Sequence, residues 1–286
     1  MRLEDERESS NIEDRRGAPM GAGVRVGRLG IWAVLIALVA AYFGIDPRLV
    51  LSLMQGGQQV MEERREAQPP NSPPVRDADS VFISKVLGNT EDVWQQLFGQ
   101  MGHTYREPTL VLFSGATSSA CGLGQSAMGP FYCPPDQKVY VDLRFFDDLQ
   151  RRYGASGDFA RAYVLAHEVG HHVQNLLGIA DQVRALQQRS GEAQANQLSV
   201  RMELQADCLA GVWANRAHEW RQILEPGDVE EGLRAAAAVG DDTLQRRTRG
   251  YVVPETFTHG TSAERAAWFR RGLQSGDLKQ CDTFTR

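Results

Sequence analysis

The sequence predicts an α+β fold that is mainly helical, contains a small β-sheet and is preceded by one transmembrane helix. Three features indicate it: an apolar run near the N-terminus, two β-rich runs around a cysteine loop, and a second half with helical spacing almost throughout. The 286 residues, 42% of them hydrophobic, suffice for one substantial domain plus accessory segments. The net charge of −5, with basic and acidic residues interleaved, gives no electrostatic footprint for nucleic acid.

The predicted transmembrane helix runs from Leu29 to Ile45, a stretch without charged residues. At about 1.5 Å per residue it spans about 26 Å, close to the hydrocarbon thickness of a bilayer. A signal peptide cleaved near Ala40 and Ala41 and a buried core helix are the alternatives. Acidic residues before the run oppose the first, and the lack of a polar face opposes the second.

Basic residues around this run predict its orientation. Four arginines precede the run and Arg48 is the basic residue close behind it, so the positive-inside rule places the N-terminus in the cytoplasm and the rest in the periplasm or outside the cell. The predicted organisation is a polar, mobile cytoplasmic segment (1–28), the transmembrane helix (29–45), a juxtamembrane segment with a proline-rich linker (46–79), and a globular domain (80–286).

Periodicity within the domain assigns strands first and helices later. β-rich runs cover residues 109–115 and 138–146, and residues 91–101 have helical spacing. Further helices are predicted at 147–153, 158–177, 180–220 with a break at Ser190–Gly191, and 229–247. Asp158 is the expected N-cap and Gly178 the expected C-cap of the 158–177 helix.

Four cysteines are consistent with an oxidising compartment. Cys121 and Cys133 enclose a short loop, and Cys208 and Cys281 remain as a second pair, although three pairings exist. Free buried thiols are the alternative. Zinc ligation by cysteine is disfavoured because no CxxC spacing occurs.

A candidate metal site lies in VLAHEVGHHVQNLLG. His167 and His171 are four residues apart, so their rings project from one helix face and can reach a single ion. Glu168 is then placed to take a proton from a water that occupies the open zinc position. The HExxH pattern also arises by chance, and two solvent-exposed histidines are the alternative.

RMELQADCLAG supplies the remaining groups. Glu203 and Asp207 lie one helical turn apart in an apolar stretch, where carboxylates are costly unless ligated or hydrogen-bonded. We predict Glu203 as the third metal ligand and Asp207 as the acceptor of a ring N–H from His167 or His171. Surface ion pairs with Arg201 or Arg216 are the alternative.

Several segments together resemble the neutral zinc metallopeptidase family of bacteria. They are HEVGHHVQ, RMELQADCLAG, THGTSAERAAWFRRG, the early RESSNIEDRRG and the cysteine loop CGLGQSAMGPFYCPPDQKVYVD. The resemblance implies a zincin-like fold with two helix histidines and a downstream Glu-x-x-x-Asp segment, here Glu203 and Asp207, as in the gluzincins. Substrates of that family are poorly defined.

Other residues near these motifs have weaker assignments. His172 points about 100° from His171 and is interpreted as structural. His259 resembles a residue that donates to the developing oxyanion in related peptidases, with a surface role as the alternative. Arg265 could pair with a site carboxylate, bind a substrate carboxylate, or cap the last helix, which is favoured. The strand from Lys138 to Asp142 is the expected edge strand for an extended substrate.

The predicted function is that of a membrane-anchored zinc metalloendopeptidase with one Zn²⁺ per chain and a peptide or protein substrate. Zinc-bound water would attack the peptide bond, with Glu168 as general base and then general acid. Manganese or cobalt could occupy the same ligands, which favour zinc. The alternatives are a non-catalytic zinc-binding envelope scaffold and a partner-binding module.

Overall fold

The computed structural model describes residues 1–17 and 76–284. Residues 1–14 and 76–286 form one compact unit, and residues 15–75 form a second, of which 15–17 are described. No helix within the described ranges is long and apolar enough to cross a membrane. The predicted transmembrane helix at 29–45 and most of the predicted linker lie outside those ranges.

The fold class is confirmed as α+β and mainly helical. Helix α1 begins after a capping box formed by Asp77 and Ser80, so the domain begins slightly before residue 80. The predicted 229–247 helix is two helices, because the chain breaks at Gly240. The helices are α1 (Ala78–Gln100), α2 (Arg144–Tyr153), α3 (Asp158–Leu176), α4 (Ile179–Gln187), α5 (Glu192–Arg221), α6 (Asp228–Ala238), α7 (Asp241–Arg249) and α8 (Ser262–Ser275).

A four-stranded sheet packs against the helices, in the order β1–β2–β6–β5. It consists of β1 (Ile12–Asp14), β2 (Thr109–Leu112), β5 (Phe131–Cys133) and β6 (Lys138–Val141), and only β5 is antiparallel to its neighbour. β3 (Ala116–Ser119) and β4 (Gly122–Gln125) form a separate antiparallel hairpin, of which β4 lies in the cysteine loop. The prediction that β6 is an edge strand is wrong, because β2 and β5 use both of its edges, and β5 is the edge strand on that side.

The N-terminal segment belongs to the domain. Strand β1 pairs in parallel with β2, and Leu3 is 7% exposed within the main hydrophobic core. The backbone N–H of Ser9 donates to the carbonyl of Ser84 at 3.1 Å. The prediction that residues 1–28 are a separate mobile segment is therefore corrected for residues 1–14.

Helix α5 is the centre of the helical layer and packs closely on α8. A Cβ on Gly272 of α8 would lie 1.9 Å from the carbonyl oxygen of Cys208, so this contact requires glycine. The Cys208–Cys281 disulfide then ties the C-terminal tail to α5. The second disulfide, Cys121–Cys133, closes the loop between β4 and β5, so both pairs are those the sequence favoured.

Candidate metal centre

Helix α3 carries the HExxH residues on a mostly buried segment. It begins after Gly157 rather than at a side-chain cap from Asp158, and it ends at Leu177, before the left-handed Gly178. Gly170 allows a close approach to α5, since a Cβ there would lie 3.0 Å from the carbonyl oxygen of Ala206. This approach brings the two histidines to the helix that carries Glu203.

His167, His171 and Glu203 converge on one point. Their candidate ligand atoms all lie within 4.8 Å of one another. Nε2 of His167 is 3.2 Å from Oε2 of Glu203, and Nε2 of His171 is 3.3 Å from Oε1. The structure thus brings together the three residues that the sequence predicted as metal ligands.

These separations fit a zinc ion. Ligand atoms about 2.0 to 2.1 Å from a tetrahedral zinc ion lie about 3.3 Å from one another. Two imidazole nitrogens and one carboxylate oxygen are also a ligand set found in catalytic zinc sites. Three protein ligands leave a fourth position for water or substrate, whereas structural zinc sites use four protein ligands.

Asp207 holds the first histidine in place. Nδ1 of His167 donates to Oδ1 of Asp207 at 2.8 Å, which leaves the Nε2 lone pair for the metal. Asp207 is completely buried and also accepts from the hydroxyl of Tyr163. Arg265 binds both of its oxygens, through Nε at 2.8 Å and Nη2 at 3.0 Å.

Arg265 is therefore a site residue. Its side chain is 4% exposed, and Nη2 lies 3.9 Å from Oε2 of Glu203. The prediction that Arg265 caps the last helix is wrong, because Thr261 and Glu264 form the capping box of α8. The guanidinium compensates the buried charge of Asp207, and a buried carboxylate without such a partner would be strongly destabilising.

Gln174 holds the second histidine, and sequence reasoning missed it. Its Oε1 accepts from Nδ1 of His171 at 2.8 Å, and its Nε2 donates to the carbonyl of Met202 at 2.8 Å and to Oε1 of Gln205 at 3.0 Å. The i,i+3 spacing from His171 was a usable signal. The side-chain amide of Gln205 donates to the carbonyl of Cys281, so the Cys208–Cys281 disulfide supports this network.

The charges of the neighbouring carboxylates and imidazoles shift the pKa values of the triad residues. Burial by itself would lower the pKa of His167, but the Asp207 and Glu203 carboxylates raise it to about 10. Burial would raise the pKa of Glu203, but His171 and His167 hold it well below its usual value. A metal ion held by Nε2 of both rings would take the place of protons on those nitrogens while the Nδ1–H groups keep their acceptors, so metal binding would release protons.

Glu168 lies beside the triad on α3 and is 8% exposed. Within residues 1–17 and 76–284 its carboxylate has no hydrogen-bond partner, although its charge contributes to the pKa of His171. A carboxylate held at a metal site with its oxygens uncommitted is available to take a proton from a water molecule.

The loop that carries His259 approaches Glu203 from the α8 side. A Cβ on Gly260 would lie 3.1 Å from Cγ1 of Val200, which is one turn before Glu203 on α5. The His259 side chain is half exposed. The hydrogen bond that the His259 ring donates to the Asp241 carboxylate raises the pKa of His259, and the charge of Glu203 adds to this. Asp241 also accepts from the backbone N–H groups of Thr258, His259 and Gly260 and so holds this loop in place.

His172 has a structural position, as its direction on α3 predicted. It is fully buried, accepts from the hydroxyl of Tyr132 at 2.9 Å and donates to the carbonyl of Arg106. Burial lowers its pKa to about 4, so the ring is neutral at physiological pH. Because Tyr132 belongs to β5, this contact fixes the edge strand against the helix of the metal site.

A cavity of about 390 Å³ lies on the side of α5 that faces the His259 loop, and the triad residues are not among those that line it. Val200 and Leu204 of α5 form one wall, and Phe257, Gly260 and Trp268 contribute others. The lining mixes these apolar groups with polar ones such as Arg201 and Glu264. It has space for a side chain of a bound peptide.

Comparison with known proteins assigns the family. The sequence profile described as "Putative neutral zinc metallopeptidase" matches residues 1–284. The chain belongs to this family. Similar members are "Uncharacterized protein YpfJ" of Escherichia coli K12, 50% identical over 99% of each chain, and "Uncharacterized protein Mb2605" of Mycobacterium bovis, 43% identical over 86% of this chain and 85% of that one. No solved structure matches.

Membership of the neutral zinc metallopeptidase family agrees with the geometry of the site. His167, His171 and Glu203 could together hold a metal ion, and they are ligand types that catalytic zinc sites use. The family match also includes residues 1–14, which the structure places within the domain.

Proposed function

We propose that this protein is a zinc metalloendopeptidase with one zinc ion per chain. The observation that carries the proposal is the convergence of both Nε2 atoms on the Glu203 carboxylate, with the uncommitted Glu168 next to it. A bound zinc ion would supply a Lewis acid that polarises the attacked carbonyl and makes water acidic.

Side chains of the protein transfer the proton, orient the histidine rings and stabilise the oxyanion. Glu168 takes the proton of the attacking water and delivers it to the leaving amine. Asp207 and Gln174 hold the rings of His167 and His171 in the tautomer that presents Nε2. His259 donates to the oxyanion that develops on the substrate carbonyl.

The proposed substrate is a peptide or protein in extended conformation. Strand β5 is the edge strand beside α3, and its outer edge, which pairs with no other strand among residues 1–17 and 76–284, can pair with an added strand. The cavity lined by Val200, Leu204, Phe257 and Trp268 would take an apolar side chain of that substrate. Membrane attachment through residues 29–45 remains part of the proposal.

The test combines metal content with proteolysis of unstructured proteins by the full chain in detergent. Wild type should hold about one zinc per chain and cleave. Glu168→Gln should retain zinc and lose at least 10²-fold in kcat, because general base catalysis contributes about 10² to 10⁴. Glu203→Ala should lose most of the zinc, since a ligand is removed.

The matched control is Glu219→Gln, an exposed residue on the same helix as Glu203. It should retain both zinc and activity. If Glu168→Gln cleaves as fast as wild type, Glu168 is not the base; if Glu203→Ala keeps full zinc, the ligand set is wrong.

A further inference from the structure

The first 14 residues are a structural part of the metal domain. Strand β1 pairs with β2 in the register Ile12↔Leu110, Glu13↔Val111 and Asp14↔Leu112. Farther towards the N-terminus, the backbone N–H of Arg2 donates to the carbonyl of Ile223 at 2.8 Å. The segment therefore touches the sheet at one end and the chain just after α5 at the other.

Side chains of the N-terminal segment also make hydrogen bonds to a buried carboxylate, where water could not readily take their place. The Glu91 carboxylate is fully buried and accepts from Ser9 Oγ at 2.6 Å, Asn11 Nδ2 at 2.9 Å and Arg7 Nη2 at 2.8 Å. Three of the partners of this buried charge thus come from the N-terminal segment. Loss of the partners of a buried carboxylate strongly destabilises a protein.

A second chain of contacts reaches the helix of the metal ligand. Oε2 of Glu6 accepts from Asn89 Nδ2 at 2.8 Å, and Oδ1 of Asn89 accepts from Trp213 Nε1 at 2.8 Å. Trp213 is on α5, which also carries Glu203. Residues 1–14 therefore contact both the sheet and the helical layer of the domain.

These contacts limit how the intervening chain can relate to a membrane. Asp14 and Arg76, which flank residues 15–75 in the sequence, both belong to the domain, and Arg76 Nη2 donates to Oε1 of Glu8 at 2.6 Å. The hydrocarbon core of a bilayer is about 30 Å thick. It cannot separate groups in direct contact, so one crossing by residues 29–45 is incompatible with this fold.

We propose that residues 1–14 and the metal domain lie on the same side of the membrane. The two disulfides place this side in an oxidising space outside the cytoplasm, since cytosolic proteins rarely retain disulfides. This topology replaces the cytoplasmic N-terminus that the positive-inside rule predicted.

Two protease sites in the full chain test the topology. One recognition sequence is inserted between Gly17 and Ala18, the other between Pro70 and Asn71, on either side of the apolar run. Each variant is expressed in bacteria and exposed to the site-specific protease in spheroplasts and, separately, in inside-out membrane vesicles. Cleavage of both variants in detergent, with zinc content equal to wild type, shows that the sites are accessible and the domain is folded.

The proposal expects cleavage at both sites in spheroplasts and at neither in inside-out vesicles. Cleavage of one site only in spheroplasts and of the other only in vesicles would overturn it, because the chain then crosses once. Cleavage of both only in vesicles would overturn the assignment to the outer side. None of these results depends on peptidase activity.

Cross-linking of one ion pair between the N-terminal segment and the sheet also tests the proposal. Glu13 Oε2 lies 2.7 Å from Lys138 Nζ, so a zero-length carbodiimide should join them as an amide with loss of water in intact membranes. The joined peptides are identified by mass spectrometry, and Glu13→Gln is the matched control. Absence of this cross-link in wild-type membranes would contradict the proposal.

Discussion

Asp207 illustrates how a buried charge serves a metal site. It is fully buried, yet its two oxygens have donors from His167, Tyr163 and Arg265. Burial would raise its pKa, but the Arg265 guanidinium and the His167 ring hold the pKa below the usual value. The carboxylate therefore stays ionised and fixes the ring that presents Nε2 to the metal.

At the residue scale, the role proposed for His259 predicts that its loss lowers activity without changing metal content. His259→Ala should lower kcat by about 10²- to 10³-fold, the effect of removing one oxyanion donor, and should leave zinc content unchanged. Initial rates on a fluorescent peptide and zinc content by mass spectrometry check this. His103→Ala, which changes an exposed histidine in the turn after α1, is the control. Full activity in His259→Ala would assign His259 a surface role.

At the scale of the secondary-structure elements, Asp142, just after β6, connects that strand with its neighbours. Its carboxylate accepts from the backbone N–H of Gly115 at 2.8 Å, from the Ser126 hydroxyl and from Arg144 Nη2 at 2.6 Å. It thus connects the end of β6, the start of α2 and the loop closed by Cys121–Cys133. Burial would raise its pKa, but Arg144, Ser126 and two backbone N–H groups lower it to about 2.

This depressed pKa gives a prediction at the element scale. A carboxylate whose folded pKa lies below its unfolded pKa stabilises the fold above the unfolded pKa, and this contribution is lost as pH falls towards the folded pKa. Asp142→Asn should therefore destabilise the protein by about 2 kcal/mol near pH 7, with a difference that shrinks between about pH 4 and pH 2.

Thermal unfolding midpoints measured between pH 7 and pH 3 check this. Asp147→Asn is the matched control, because Asp147 is exposed and makes only a long contact of 3.9 Å with Arg151. A difference between wild type and Asp142→Asn that does not change with pH would show that the charge of Asp142 is not what stabilises the loop.

At the scale of the whole molecule, the domain is assembled from two separate parts of the chain. The sheet is incomplete without β1, and the charge of Glu91 is incompletely paired without residues 7–11. The site itself lies between α3 and α5, on elements that follow residue 76. The N-terminal segment therefore acts on the site through the stability of the domain.

A fragment of residues 76–286 should consequently be less stable than the full chain by about 3 to 5 kcal/mol, the cost of a buried charge that loses its partners. Thermal unfolding compares the two. A synthetic peptide of residues 1–17 should raise the midpoint of the fragment, whereas a peptide with Glu6, Ser9 and Asn11 changed to alanine should not. Equal stability of fragment and full chain would contradict the packing of residues 1–14.

The sequence by itself determined what local geometry controls. Histidines four apart on a helix share a face whatever surrounds them, so His167, His171 and the adjacent Glu168 could be assigned from spacing alone. Glu203 and Asp207 followed from the cost of carboxylates in an apolar helix. Most of the helices followed from periodicity, with errors where Gly240 breaks a helix, where α1 begins at Ala78 rather than at residue 91, and where α2 begins at Arg144 within the predicted 138–146 strand.

Only the tertiary structure decided which distant groups meet. It paired Asp207 with His167, gave His171 the amide of Gln174, and placed Arg265 in the site because α8 packs closely on α5 through Gly272. It also put β6 inside the sheet and residues 1–14 within the domain. These contacts join segments far apart in the chain, and their geometry depends on how whole elements pack, which no local pattern encodes.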